Sequence, residues 1–147
     1  MGKPMRYSRF GLGAIAMLGL LAAPGTPAYA QWAPSTSCDQ FGGYELENCL
    51  NKALATADAT LNDTYKKAEA AITADSDASA EDKKTWLGNL VAAQRAWVAF
   101  RDANCKFDLI AAEWNSGSGT TSAQQACVLA ATLARTTELQ QRYTLSN

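Results

Sequence analysis

Histidine is absent from all 147 residues. That removes the usual general base and the middle member of a Ser/His/Asp arrangement. Zinc loses its imidazole ligand, and no CxxC spacing offers a thiolate substitute. No glycine-rich loop joins a strand to a helix, so there is no cradle for a phosphate. Close carboxylates do occur, Glu45 with Glu47 and Asp75 with Asp77. They fall on helix edges or loops, where solvent keeps both ionised, and a glycosidase needs two unlike carboxylates. The chain therefore reads as a non-enzyme with no cofactor and no metal.

Cations are also in short supply. Lys3, Arg6 and Arg9 precede the apolar run "FGLGAIAMLGLLAA", and "AYA" follows at 28–30. That is the pattern of a secretory signal peptide, too short an apolar run for the ~20 residues of a membrane span. Cleavage after Ala30 keeps all fourteen acidic residues but ten of the thirteen basic ones, moving the net charge from −1 to −4. Such a domain has no electrostatic reason to bind nucleic acid or an anionic membrane and is steered towards basic partners. The expected location is periplasmic or secreted.

The cysteines are few but even in number: Cys38, Cys49, Cys105 and Cys127. In an oxidising compartment they form two disulfides, and three pairings are open. Short loops favour Cys38–Cys49, pinning the N-terminal arm, and Cys105–Cys127, closing a loop between helices.

What remains is helical. Residues 31–44, with Pro34 and the Gly42–Gly43 pair, read as an irregular arm preceding one helical domain over 45–147. Apolar positions at steps of three and four predict an amphipathic helix over 45–72. Ser79, with Asp82 three residues on, opens a second over 80–114. This helix is apolar on two faces, one through Leu87, Leu90, Trp97 and Cys105, the other through Phe100, Phe107 and Trp114. That pattern predicts the central helix, covered from both sides. The stretch 115–121 reads as a flexible turn, and a third helix follows over 122–143, with Cys127, Ala131, Ala134, Gln141 and Leu145 on one side. The fold class is all-α: a small antiparallel three-helix bundle stapled by two disulfides.

Arg101 lies within the apolar stripe of the second helix, and a buried guanidinium without a partner costs several kcal/mol. Asp58 is its expected partner, with Glu47 and Glu138 in reserve. Gln94 is expected to bond Asn62. Together with Tyr65, Trp97 and Asp102 these residues form a structural brace rather than a reactive site.

The pattern "D58…L61-N62…Y65", then "Q94-R95-x-W97…R101-D102…C105", then Cys127 before "T132…R135", resembles the LprI-like family of lysozyme inhibitors from about Cys38 to Leu139. The resemblance implies an exported helical domain that binds and blocks a lysozyme, a basic hydrolase, and so protects peptidoglycan. The signal region carries no lipid-acceptor cysteine, which implies a diffusible form. A contact surface is expected where an aromatic borders a loop: Trp114 with Asn115, Ser116, Gly117 and Ser118. Rival classes are an immunity protein against a cell-wall toxin, a glycan-binding domain, and an assembly module or homodimer joined through Phe100, Phe107 and Trp114.

Overall fold

The computed structural model describes residues 32–145; the signal region over 1–30 lies outside the described residues. Among the described residues four helices follow one another: α1 (Gly43–Ala74), α2 (Ala80–Asn104), the short α3 (Phe107–Glu113) and α4 (Thr120–Arg142). Among the described residues there is no strand. The expected all-helical fold with two disulfides holds, as Cys38–Cys49 and Cys105–Cys127. No described helix is long and apolar enough to cross a membrane.

Local signals set the helix ends. Gly43 has φ +54°, a left-handed conformation that glycine adopts without a Cβ penalty. Asp75 receives the N–H groups of Asp77 and Ala78 at 2.9 and 3.0 Å, closing the turn after α1. Ser79 then caps α2, its Oγ accepting from Asp82 N at 3.2 Å. The last turn of α1 has no basic residue of its own. Lys83 of α2 supplies one, donating through Nζ to Thr73 O at 3.0 Å.

α1 and α4 make the main pair. Leu50 and Ala57 of α1 cluster with Ala126 and Leu129 of α4. Further along, Leu61, Ala68 and Ile72 cluster with Leu139. Contacts therefore climb both helices in the same order. α2 meets them in reverse: Leu90 sits with Ile72 and Leu139, while Cys105, just past the end of α2, is bonded to Cys127. Alanines let α1 and α4 approach closely. Threonines extend that seam at no polar cost, because Thr132 Oγ1 donates to Val128 O at 2.8 Å and Thr136 Oγ1 to Thr132 O at 3.0 Å.

Three sequence expectations change. The second helix does not reach 114: it stops at Asn104, Lys106 takes an extended conformation, and α3 restarts at Phe107. No glycine or proline marks the break; it falls where Cys105 is drawn into the core by its bond to Cys127. Nor is α2 central. Leu90 is its one buried residue, whereas α4 has nine, and Phe100 is 65% exposed. On α4 the buried line runs through Ala123, Cys127, Leu129, Thr132, Arg135 and Leu139, leaving Ala134 and Gln141 exposed.

Joining two residues 22 apart, the Cys105–Cys127 bridge ties the end of α2 and the start of α3 to α4. Replacing both cysteines by alanine is expected to lower unfolding free energy by roughly 3 kcal/mol. Urea denaturation monitored by circular dichroism measures this, and an unchanged midpoint contradicts a closing role for the bridge.

Candidate functional site

Arg101 is held between two carboxylates on adjacent helices. Its Nε and Nη2 donate to Asp102 Oδ1 at 2.9 and 2.8 Å, and Nη1 stands 3.7 Å from Asp58 Oδ1. The guanidinium lies 5.1 Å from the centroid of the Trp97 ring. Both carboxylates are more than half exposed, so solvent screens these pairs. Neither reserve carboxylate is paired with Arg101. Glu138 takes Arg135 and Arg142, and Glu47 lines a groove near the start of α1.

The deeply placed charge is Arg135 of α4, 5% exposed. Its Nε donates to Gln94 Oε1 of α2 at 3.0 Å and its Nη1 to Glu138 Oε2 at 2.7 Å. Gln94 thus faces α4 rather than Asn62, which is exposed on α1. Arg135 also lies 6.0 Å from the Trp97 centroid, so that one ring meets two guanidinium groups. Its Nη2 is buried without a hydrogen-bond acceptor. The spacing Thr132, Arg135, Leu139 on a helical face was the signal that could have found this residue, but alanines at 130, 131 and 134 offered a competing face. Tyr65 packs beside the cluster of Leu61, Leu90 and Leu139. Burial, assisted by the Glu69 carboxylate, pushes its phenol above the ordinary value.

The second region lies where the arm meets the turn after α3. Trp114 Nε1 donates to the backbone carbonyl of Trp32 at 3.1 Å. Behind the indole sits Gly119, where a Cβ would stand 2.9 Å from Trp114 Cε3. The stretch read as flexible is a hydrogen-bonded turn. Ser116 N donates to Ala111 O at 2.7 Å and Asn115 N to Ala112 O at 3.4 Å, a Schellman closure of α3. It places Asn115 and Ser116 at φ +50° and +53°, left-handed values that asparagine tolerates better than serine. Thr120 bonds back to Gly117 O through N at 3.1 Å and Oγ1 at 2.7 Å. The structure thus brings Trp114, Ser118 and Gly119 to a groove shared with the arm, and Trp114 packs there.

A groove of about 370 Å³ runs along this junction, floored by Leu46, Leu50 and Trp114 and edged by Asp39 and Glu47. Another of about 660 Å³ lies between α1 and α4, lined by Ala53, Ala57, Leu129 and Leu133 with Lys52 at its edge. Among the described residues no cysteine is free, and no group of three or more acidic or cysteine side chains is placed to hold a metal. What these surfaces offer is shape, charge and aromatic area.

Because the Trp114 ring fills the space a Cβ would need, Gly119→Ala is expected to cost about 1–3 kcal/mol. It should also displace the indole, seen as a shift in tryptophan fluorescence. A variant with native stability and emission contradicts this packing.

Comparison with known proteins follows the same residues. The family described as lysozyme inhibitor LprI matches over residues 38–139. An uncharacterized protein of Rhizobium meliloti (strain 1021) is 33% identical over 128 residues, covering 84% of this chain and 90% of the relative. No solved structure matches. With the matched span running from the first disulfide cysteine through Trp97, Arg101 and Arg135 to Leu139, the chain belongs to the lysozyme inhibitor LprI family.

Proposed function

We propose that this protein is exported and acts in the periplasm or outside the cell, binding lysozyme-type peptidoglycan hydrolases and blocking them. The carrying observation is the family match over residues 38–139, which spans the helical domain from its first disulfide to the last turn of α4. The chemistry supports a binder rather than a catalyst. The chain has no histidine, its four cysteines are paired, and its charged groups brace helices. Two disulfides suit an oxidising compartment, and the N-terminal signal pattern suits export.

Inhibition by such a domain is occlusion. A hydrolase that cleaves polymeric peptidoglycan has an open cleft, and a rigid protein seated across it excludes the substrate without any bond being made. The net charge of −4 after residue 30 draws a basic hydrolase in, chiefly by speeding association. Trp114 and the adjoining turn of Asn115, Ser116, Gly117 and Ser118 form one rim of the contact in this reading. The turn is exposed and held by its own hydrogen bonds, so little entropy is lost on docking.

Turbidity loss of peptidoglycan treated with an animal-type lysozyme provides the test. Lysis is expected to fall with rising amounts of residues 31–147, and the protection is expected to weaken as ionic strength rises past about 0.15 M, where screening acts within roughly 8 Å. Undiminished lysis at a tenfold molar excess of the folded protein would overturn the inhibitor reading.

A further inference from the structure

Most large exposed apolar side chains of this protein fall in two groups, one at Phe100, Phe107 and Leu109 and one at the start of the domain. Three of its aromatics stand within thirteen residues at the start of the domain: Trp32 at 53% exposure, Phe41 at 42% and Tyr44 at 84%. They are carried on a segment that is fixed in place. Cys38 is fully buried and bonded to Cys49 of α1, Phe41 N donates to Cys38 O at 2.9 Å, and the Trp32 carbonyl receives the Trp114 indole. The Asp39 carboxylate holds the turn by accepting from Thr36 N and Thr36 Oγ1 at 3.0 and 2.8 Å. Folding alone gives no reason to pin an arm so firmly while leaving its rings in water. A preorganised set of rings is what a binding surface requires.

The charge around these rings is mostly negative, with Lys52, which lines a groove beside Ser35, Thr36 and Ser37, the exception. Residues 32–51 contain Asp39, Glu45 and Glu47 and no lysine or arginine; residues 107–134, which meet the arm through Trp114 and Gly119, contain Asp108 and Glu113 and again no cation. Lys106, at the edge, is tied to Asp108 at 2.9 Å. By contrast, residues 52–106 carry eight basic and eight acidic side chains. The negative excess of the domain is therefore gathered at the end that bears the arm. The other acidic stretch, 75–82, is a poor competitor. Its Asp75 and Asp82 are used in the turn and cap, Glu81 faces Lys84 at 3.8 Å, and the neighbouring Trp86 packs on Tyr143 with ring centroids 6.1 Å apart.

We infer that the pinned segment carrying the exposed Trp32, Phe41 and Tyr44, together with its carboxylates Glu45 and Glu47, is the docking surface for a cationic protein. Arginine and lysine side chains of the partner lie across the rings while the carboxylates neutralise them, a combination that exposed aromatic and acidic groups favour together. The identity of the partner as a basic hydrolase rests on the inhibitor reading; the position of the surface does not. The turn at 115–118 becomes the margin of this surface rather than its centre.

Two measurements decide it. Trp32→Ala leaves the bond to Trp114 in place, because the acceptor is a backbone carbonyl, and Tyr44 is the most exposed of the three rings. The Trp32→Ala/Tyr44→Ala double variant is expected to bind an animal-type lysozyme roughly tenfold or more weakly by calorimetry, while Phe100→Ala, at an exposed ring on α2, stays within about twofold. Inhibition by the wild type with equal affinity for both variants overturns the surface and leaves the inhibitor reading standing. The second measurement uses hexa-arginine titrated into the wild-type domain and followed by amide chemical shifts. Perturbations centred on 32–47 and 113–119 support the surface even if lysozyme is not inhibited; perturbations centred on 75–82, or spread evenly, overturn it.

Discussion

The contact of Trp97 with the Arg135 guanidinium is the constraint on which the arrangement of this domain depends. α1 and α4 are joined by a continuous apolar seam, but α2 has almost none to offer: Leu90 is its one buried residue. The helix is instead fastened near its middle by a polar and aromatic node and, just past its end, by a disulfide. At the node Arg135 gives Nε to Gln94 and Nη1 to Glu138 and lies against the Trp97 ring, which receives Arg101 as well. A guanidinium 95% removed from water would cost several kcal/mol unpaired; Glu138 on α4 neutralises it, and Gln94 on α2 takes a second N–H, which ties α2 to α4.

This fastening affects what lies at the end of the bundle. Because Cys105 is bonded to Cys127, the chain leaves α2 beside the start of α4 and turns through α3. The Schellman closure then delivers Trp114 to the Trp32 carbonyl, and the arm is pinned a second time by Cys38–Cys49. One end of the domain thereby presents rings and carboxylates on a rigid support. The opposite end spends its charges on caps: Ser79 and Asp82 on α2, Lys83 on the last carbonyls of α1.

Much of this was legible in the residues. Steps of three and four along α1 gave its extent to within two residues at either end, and the short loops pointed to the cysteine pairing that the structure contains. The capping serine before α2 was plain as well. What misled was hydrophobicity taken as burial. Phe100 and Phe107 suggested a second covered face on α2, yet both are exposed. Conversely, α4 hides its packing face behind Thr132, Arg135 and Thr136, residues that composition marks as surface. The threonine hydroxyls are satisfied by the preceding turn, and the guanidinium in part by Gln94 and Glu138, with Nη2 left without an acceptor. Such satisfaction depends on which helix lies opposite, and periodicity in one helix does not contain it. The break at Cys105 is similar: it is imposed from outside the helix, by a bond to a residue 22 positions away. Gln94, expected to bond Asn62 across the interface with α1, instead accepts from the buried Arg135 on α4.

The most direct test compares Arg135→Ala with Arg101→Ala by denaturant unfolding and by amide hydrogen exchange along residues 87–104. Removing Arg135 strips Gln94 of its donor, takes the buried cation from Trp97 and opens a cavity. A loss of about 3 kcal/mol or more is expected, with exchange protection collapsing first in α2. Removing Arg101, whose carboxylate partners are exposed, is expected to cost about 1 kcal/mol or less. Equal losses, or an Arg135→Ala variant whose α2 amides remain as protected as the native ones, would contradict the account.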